Sequence, residues 1–171
     1  MPDPGHNADN GDRDGQGAVF EFLRRSGSWP AHPQSVEVIE THGAIVFMGG
    51  DAVLKIKRAV RLPYLDFSRL EARKRVCERE IGLNQEHAPG IYRGIVAITR
   101  ESDGSLAIAG RGVPVEWAVQ MARFPQHDLL SSIAERQGFS SALAKALADA
   151  VWAYHTSAEP HAAACERMTA V

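Results

Sequence analysis

Residues 52–84 read AVLKIKRAVRLPYLDFSRLEARKRVCEREIGLN, and the passage from strand to helix within them decides the fold. Residues 52–60 alternate apolar and charged side chains with the period of a β-strand. Arg61-Leu62-Pro63-Tyr64-Leu65-Asp66-Phe67 carries no period and reads as an irregular connection. Ser68-Arg69-Leu70-Glu71 has the form of a capping box, in which the hydroxyl accepts from an amide one turn on and the glutamate reaches back. It predicts a long helix to about His87, where Pro89-Gly90 stops it.

Upstream, residues 35–41 (SVEVIET) and 44–48 (AIVFM) read as strands separated by His42-Gly43. Gly49-Gly50-Asp51 is a turn signal before the strand at Ala52, so two successive hairpins give a three-stranded antiparallel meander. Downstream, strands are predicted at residues 94–99, 106–109 and 115–121, with a turn at Ser102-Asp103-Gly104. After Pro125 the pattern turns helical, over residues 128–136 and 141–156. In the second of these, Leu143, Leu147, Val151 and Tyr154 share one face. The order is that of an α+β protein: one antiparallel sheet of about five strands, one long helix and a helical part beyond.

Composition narrows the function classes. The chain has 171 residues, is 44% hydrophobic and has a net charge of −2. It therefore has material for a core and no global basic field to draw nucleic acid or an anionic membrane. Cys77 and Cys165 form no metal-binding spacing, and free thiols fit a reducing cytoplasm. Residues 1–17 are almost devoid of apolar side chains and read as a disordered tail without the marks of a signal peptide. No apolar run approaches the ~20 residues that span a bilayer. A soluble cytoplasmic protein is expected.

The run from Lys55 to Ser68, continued through Cys77-Glu78-Arg79-Glu80 to Leu83-Asn84, resembles the N-lobe of protein-kinase-like folds. The aminoglycoside-phosphotransferase-like branch is the nearer likeness, in particular bacterial proteins that fuse such a domain to a P-loop ATP-binding domain. The resemblance covers residues 20–160. It implies a tail of residues 1–17, an N-lobe of residues 18–122, and a hinge with an incomplete helical C-lobe over residues 123–171. It also implies ATP, with magnesium, as the ligand.

Within that resemblance, ATP phosphates need a cation on a rigid strand. Ala52-Val53-Leu54-Lys55 has the required form, with small, apolar Val53 two residues before the lysine to pack on adenine. Lys57 shares the strand face with Lys55, and its own adenine position would be filled by Lys55, which favours Lys55. The lysine needs a carboxylate on the following helix. At helical spacing Leu70, Val76, Cys77, Ile81 and Leu83 gather on one face with Glu80 inside the arc, whereas Glu78 points toward Lys74 and Arg75. Glu80 is the expected partner. The resemblance further implies a hinge in which Ala122 and Phe124 supply a carbonyl and an amide to adenine. Met121 would lie behind the base and Asp128 near the ribose. Gly43, in Glu40-Thr41-His42-Gly43-Ala44, would serve the turn that covers phosphates in place of G-x-G-x-x-G.

The resemblance implies an H-G-D-x-x-x-x-N loop after the last helix and a fused G-x-x-x-x-G-K-[ST] segment, and neither occurs, so the catalytic and metal-binding residues of that family are not expected here. The expectation is an ATP-binding lobe that is catalytically incompetent as this chain, with self-association through the exposed helical face. Two alternatives stand beside it: a stand-alone nucleotide- or protein-binding module, and an unrelated α+β interaction domain. In the latter the basic run Arg69, Arg73, Lys74, Arg75 and Arg79 would be a solvated helix face or a contact for an acidic partner.

Overall fold

The computed structural model describes residues 15–158. They fall into two compact units, one ending at Phe124 and the other starting at Pro125. The expectations for residues 1–14 and 159–171, Cys165 among them, lie outside the described residues.

The first unit is mixed α+β. It contains helix α1 (Gln16–Arg24), strands β1 (Val36–Glu40), β2 (Ala44–Gly49) and β3 (Ala52–Lys57), and a short ribbon of β4 (Arg61–Leu62) with β5 (Leu65–Asp66). Helix α2 (Leu70–Asn84) and strands β6 (Tyr92–Arg100), β7 (Leu106–Ile108) and β8 (Val113–Ala122) follow. Six strands form one antiparallel sheet in the order β1-β2-β3-β8-β6-β7, and β4–β5 pair apart from it inside the connection read as irregular.

Strand alternation gives the sheet two different faces. On one, Ile45, Phe47, Leu54, Ile56, Ile98 and Ala118 pack with Val19, Leu23 and Trp29 from the α1 region, forming the hydrophobic core. Val19 and Leu23 are four residues apart, so a single stripe of α1 faces inward. The other face carries Val53, Lys55, Lys57 and Val119 and is covered by α2, which lies against β8 and β6. The sheet thus lies between two helices.

Two glycines are set by close approach. Gly49 lies against the indole of Trp29, where a Cβ would come 2.8 Å from the ring. At Gly112, before β8, a Cβ would fall 2.0 Å from the carbonyl oxygen of Arg100, so only a bare backbone fits between β6 and the incoming chain.

Several expectations need correction. Order reaches into the expected tail: Gln16 and Gly17, assigned to it, belong to α1, and Gln16 is buried. The capping box does not form: Arg69 is the cap residue, no side chain caps the helix, and Ser68 Oγ is turned to Asp66 Oδ1, to which it donates at 2.6 Å. The helix accordingly starts at Leu70, and it ends at Asn84 rather than near His87. Leu83, placed inward by helical spacing, is 54% exposed, while the inward stripe of α2 is Arg73, Cys77 and Glu80. Arg73 is 1% exposed, so it is no part of a solvated basic face.

The second unit contains a 3-10 turn (Gln126–Asp128), α3 (Leu130–Gln137) and α4 (Ser141–Ser157). The helix expected over residues 128–136 is split between the turn and α3. Ser140 caps α4 by accepting from the Leu143 amide at 3.1 Å. Leu147, Val151, Trp152 and Tyr154 of α4 are exposed.

Candidate functional site

Lys55 and Lys57 stand on a central strand, not an edge, between β2 and β8. Lys55 pairs with Val46 on one side and Val119 on the other. Its Nζ donates to Glu80 Oε1 at 2.9 Å, the contact expected from the sequence. The Nζ of Lys57, set aside in the sequence reading, donates to the second oxygen, Oε2, of the same carboxylate. Glu80 is therefore gripped by two ammonium groups from one strand face. The wide choice among glutamates narrows as the helical phase suggested: Glu78 is exposed and pairs with Lys74 at 3.4 Å along the helix.

Burial alone would push the Glu80 carboxyl up, but the hydrogen bonds and charges of Lys57 and Lys55 outweigh it. They hold the carboxyl below its ordinary value of 4.5. A depressed carboxyl stabilises the fold above its unfolded value and loses that contribution as pH falls through the folded one. Wild-type thermal midpoints should therefore drop on acidification below about pH 4.5 more steeply than those of Glu80→Gln, whose amide does not titrate. Parallel pH profiles for the two proteins would contradict this assignment.

Cys77 lies one turn before Glu80, and burial raises its thiol to about 11, so it is a packing group without nucleophilic character. Beyond it, Arg73 Nε donates to Glu116 Oε1 at 3.0 Å, and its Nη1 donates to the Phe67 carbonyl at 2.9 Å. Gln16 Nε2 donates to Glu116 Oε2 at 2.5 Å and to the Lys57 carbonyl at 2.9 Å, while its Oε1 accepts from the Ala59 amide at 2.7 Å. This clasp joins α1, α2, β8 and the end of β3. Sequence reasoning missed all three members.

The remaining expected residues distribute as follows. Val53 is buried and pairs across the ladder with Met121, and Ala52 pairs with Ala122. The Ala122 amide donates to the Ile91 carbonyl at 2.8 Å. The Arg123 amide donates to the Asp51 carbonyl at 2.9 Å and its guanidinium to Glu37 Oε1 at 2.6 Å, which fixes the exit of β8 against the β2–β3 turn and β1. Phe124 closes the first unit and is 37% exposed. Val53, Lys55, Glu80, Met121, Ala122 and Phe124 thus belong to one unit. Asp128 belongs to the second, where its carboxylate lies 3.5 Å from His127 Nε2.

The β1–β2 turn is closed by its own groups. The Thr41 amide donates to the Ala44 carbonyl at 2.9 Å, and the Ala44 amide donates to Thr41 Oγ1 at 3.1 Å. Gly43 accepts from the Arg58 amide at 3.0 Å. A Cβ at Gly43 would meet Leu65 Cδ2 at 3.6 Å, an ordinary contact, so crowding within the protein does not require glycine there.

Chemically the site is a cation presenter: two ammonium groups and one carboxylate, net positive, on a strand face beside an apolar pair. It suits an anionic group with an apolar appendage. Among the described residues no group of three or more His, Cys, Asp or Glu side chains could hold a metal ion. No helix among them is long and apolar enough to cross a membrane.

Comparison with known proteins adds relatives and no activity. No family model and no solved structure matches the chain. Two uncharacterised proteins, one of Mycobacterium tuberculosis and one of Mycobacterium bovis, are each 31% identical to it over 144 residues. The match covers 70% of this chain and 29% of each relative, so the chain spans less than a third of the length of the curated relatives it matches.

Proposed function

We propose that residues 15–124 form the nucleotide-binding N-lobe of a kinase-like phosphotransferase of the aminoglycoside-phosphotransferase-like branch. On this reading the protein works in the cytoplasm, where ATP is plentiful. The observation that carries the proposal is the Lys55–Glu80 pair at 2.9 Å, a strand lysine held by a helix carboxylate. It lies two residues from Val53, whose ladder partner Met121 leads into Ala122 at the end of β8.

The residues fit a nucleotide in two respects. A phosphate needs a fixed cation, and Lys55 is a lysine oriented by a partner rather than a free surface amine. Adenine needs an apolar wall with backbone groups at its edge, and Val53 and Met121 precede an exit strand whose position is fixed by Arg123. Lys55 would hold the phosphates, Val53 and Met121 would flank the base, and Ala122 and Phe124 would offer backbone groups to its edge. Magnesium accompanying ATP would be held chiefly by the phosphates themselves. Only nucleotide binding is proposed of these residues, and the match covers 29% of each relative.

Thermal denaturation with ATP tests the reading. Ligand at about a hundredfold excess over Kd stabilises the native state by roughly 2.7 kcal/mol, which shows as a raised midpoint. ATP is expected to raise the midpoint of the wild type but not that of Lys55→Ala, and adenosine to raise the wild type less than ATP does. An unmoved wild-type midpoint at millimolar ATP would reject the proposal.

A further inference from the structure

The basic run along α2 is divided by the structure, and part of it is left without a task. Arg73 turns inward to Glu116, while Lys74 pairs with Glu78 at 3.4 Å and lies 4.9 Å from the centre of the Trp117 ring. Arg69 and Arg75 are exposed, and among the described residues neither guanidinium has a hydrogen bond or an ion pair. Both line one hollow of about 440 Å³, together with Arg61, Asp66, Ser68 and Ala72. We propose that this hollow binds a doubly charged phosphate group, as inorganic phosphate or a phosphate monoester, at a site separate from Lys55 and Glu80.

Sequence spacing builds the hollow. Arg69, Ala72 and Arg75 are three residues apart, so they follow one another along the surface of α2 at its start. Ala72 ends in a methyl group and leaves the space between the two arginines open. At about 100° per residue Arg75 lies about 200° around the helix from both Arg73 and Cys77, so it faces away from the sheet. Arg61 comes from the β4–β5 ribbon, in which Arg61 pairs with Asp66 and Leu62 with Leu65. The ribbon thus brings a third guanidinium to a helix surface from outside the helical run.

Charge decides what would enter. Three guanidiniums face one carboxylate, which leaves two positive charges in excess. The carboxylate is already engaged: Asp66 Oδ1 accepts from the Ser68 amide at 3.0 Å and from its hydroxyl at 2.6 Å, and Oδ2 lies 3.6 Å from Arg61 Nε. Asp66 therefore holds Arg61 and leaves Arg69 and Arg75 to a ligand. The chain as a whole carries a net charge of −2, so the excess is local. A planar guanidinium can donate to two phosphate oxygens at once, and two arginines match a phosphate dianion in charge and in donors. Chloride or a single carboxylate would leave one of them unmatched.

Calorimetric titration of the full 171-residue chain with inorganic phosphate and with O-phosphoserine tests this, at ionic strength fixed with sodium chloride and pH about 8, where the phosphates are dianions. Saturable binding is expected. Tighter binding of O-phosphoserine assigns an esterified ligand and equal binding assigns free phosphate, and either upholds the site. Arg69→Gln/Arg75→Gln should keep the fold, because both side chains are exposed, and should bind phosphate about tenfold more weakly or worse. Arg25→Gln/Arg93→Gln, which removes the same charge outside the hollow, and Lys55→Ala should bind it as the wild type does. No saturable binding by the wild type, undiminished affinity in Arg69→Gln/Arg75→Gln, or an equal loss in Arg25→Gln/Arg93→Gln would overturn the inference. A loss confined to Lys55→Ala would put the phosphate at the strand lysine, overturning this inference while sparing the nucleotide reading. ATP shifts are measured with phosphate present throughout, so that the hollow is filled in every variant and a failure of the nucleotide reading shows separately.

Discussion

Arg73→Ala is expected to cost about 3–5 kcal/mol, the range found when one partner of a buried ion pair is removed and the other stays charged. Glu116 is 0% exposed and would lose the guanidinium that lies 3.0 Å from its carboxylate. Gln16 would remain on Glu116, but a neutral amide does not offset a buried charge. Domains of this size are stable by only about 5–15 kcal/mol, so the variant should be partly unfolded at modest urea. Urea titration should show a lower midpoint with the same slope. In the double variant Arg73→Met/Glu116→Met both charges are gone, and much of the loss should return, because two apolar side chains of similar length replace the pair. A loss below about 1 kcal/mol in Arg73→Ala would mean that the pair is solvated in the native state, contrary to its burial.

The consequence reaches the site. Arg73 and Glu80 are two helical turns apart on one stripe of α2, so the clasp that seats Arg73 also sets the rotation of the helix that aims Glu80. The Lys55–Glu80 distance is therefore a property of the whole unit, not of two residues that happen to meet. Gln16 carries the same dependence to α1, which binds the clasp and the end of β3 together.

This coupling also explains what the sequence could and could not reveal. The meander was legible because Val53, Lys55 and Lys57 alternate with Leu54 and Ile56 behind a glycine turn, and period-2 alternation is a strong local signal. Helical phase singled out Glu80 for the same reason. The clasp was not legible: Gln16, Arg73 and Glu116 are residue types found mostly at surfaces, and they lie 43 to 100 positions apart. Nothing local marks such a partnership. The one available signal was a weak apolar stripe on α2, whose inward positions are arginine, cysteine and glutamate. The capping box failed locally, since Asp66 accepts from both the amide and the hydroxyl of Ser68 and turns that residue toward itself. Lys57 was set aside because its preceding small residue was lacking. That argument concerned adenine and says nothing against a lysine whose task is to hold Glu80.

The core on the opposite sheet face gives a second large expectation. Trp29 is 2% exposed, its Nε1 donates to the Leu23 carbonyl at 2.9 Å, and its ring covers the backbone of Gly49 at the end of β2. Trp29→Ala should cost about 3–5 kcal/mol through the lost contacts and the cavity left between α1 and the sheet. Gly49→Ala alone should cost about 1–3 kcal/mol, because the added methyl would meet the rigid indole at 2.8 Å and one of them must shift. The two costs should not add. With the indole gone, the methyl of Gly49→Ala enters the space it vacated, so the double variant should be no less stable than Trp29→Ala alone. A double-mutant cycle by urea denaturation reads this as a coupling energy of about 1–3 kcal/mol, in the range for residues in contact. Additive costs would show that Gly49 is needed for its backbone conformation and not for room. That outcome is at odds with its place in a paired strand, opposite Val36 and Ala52.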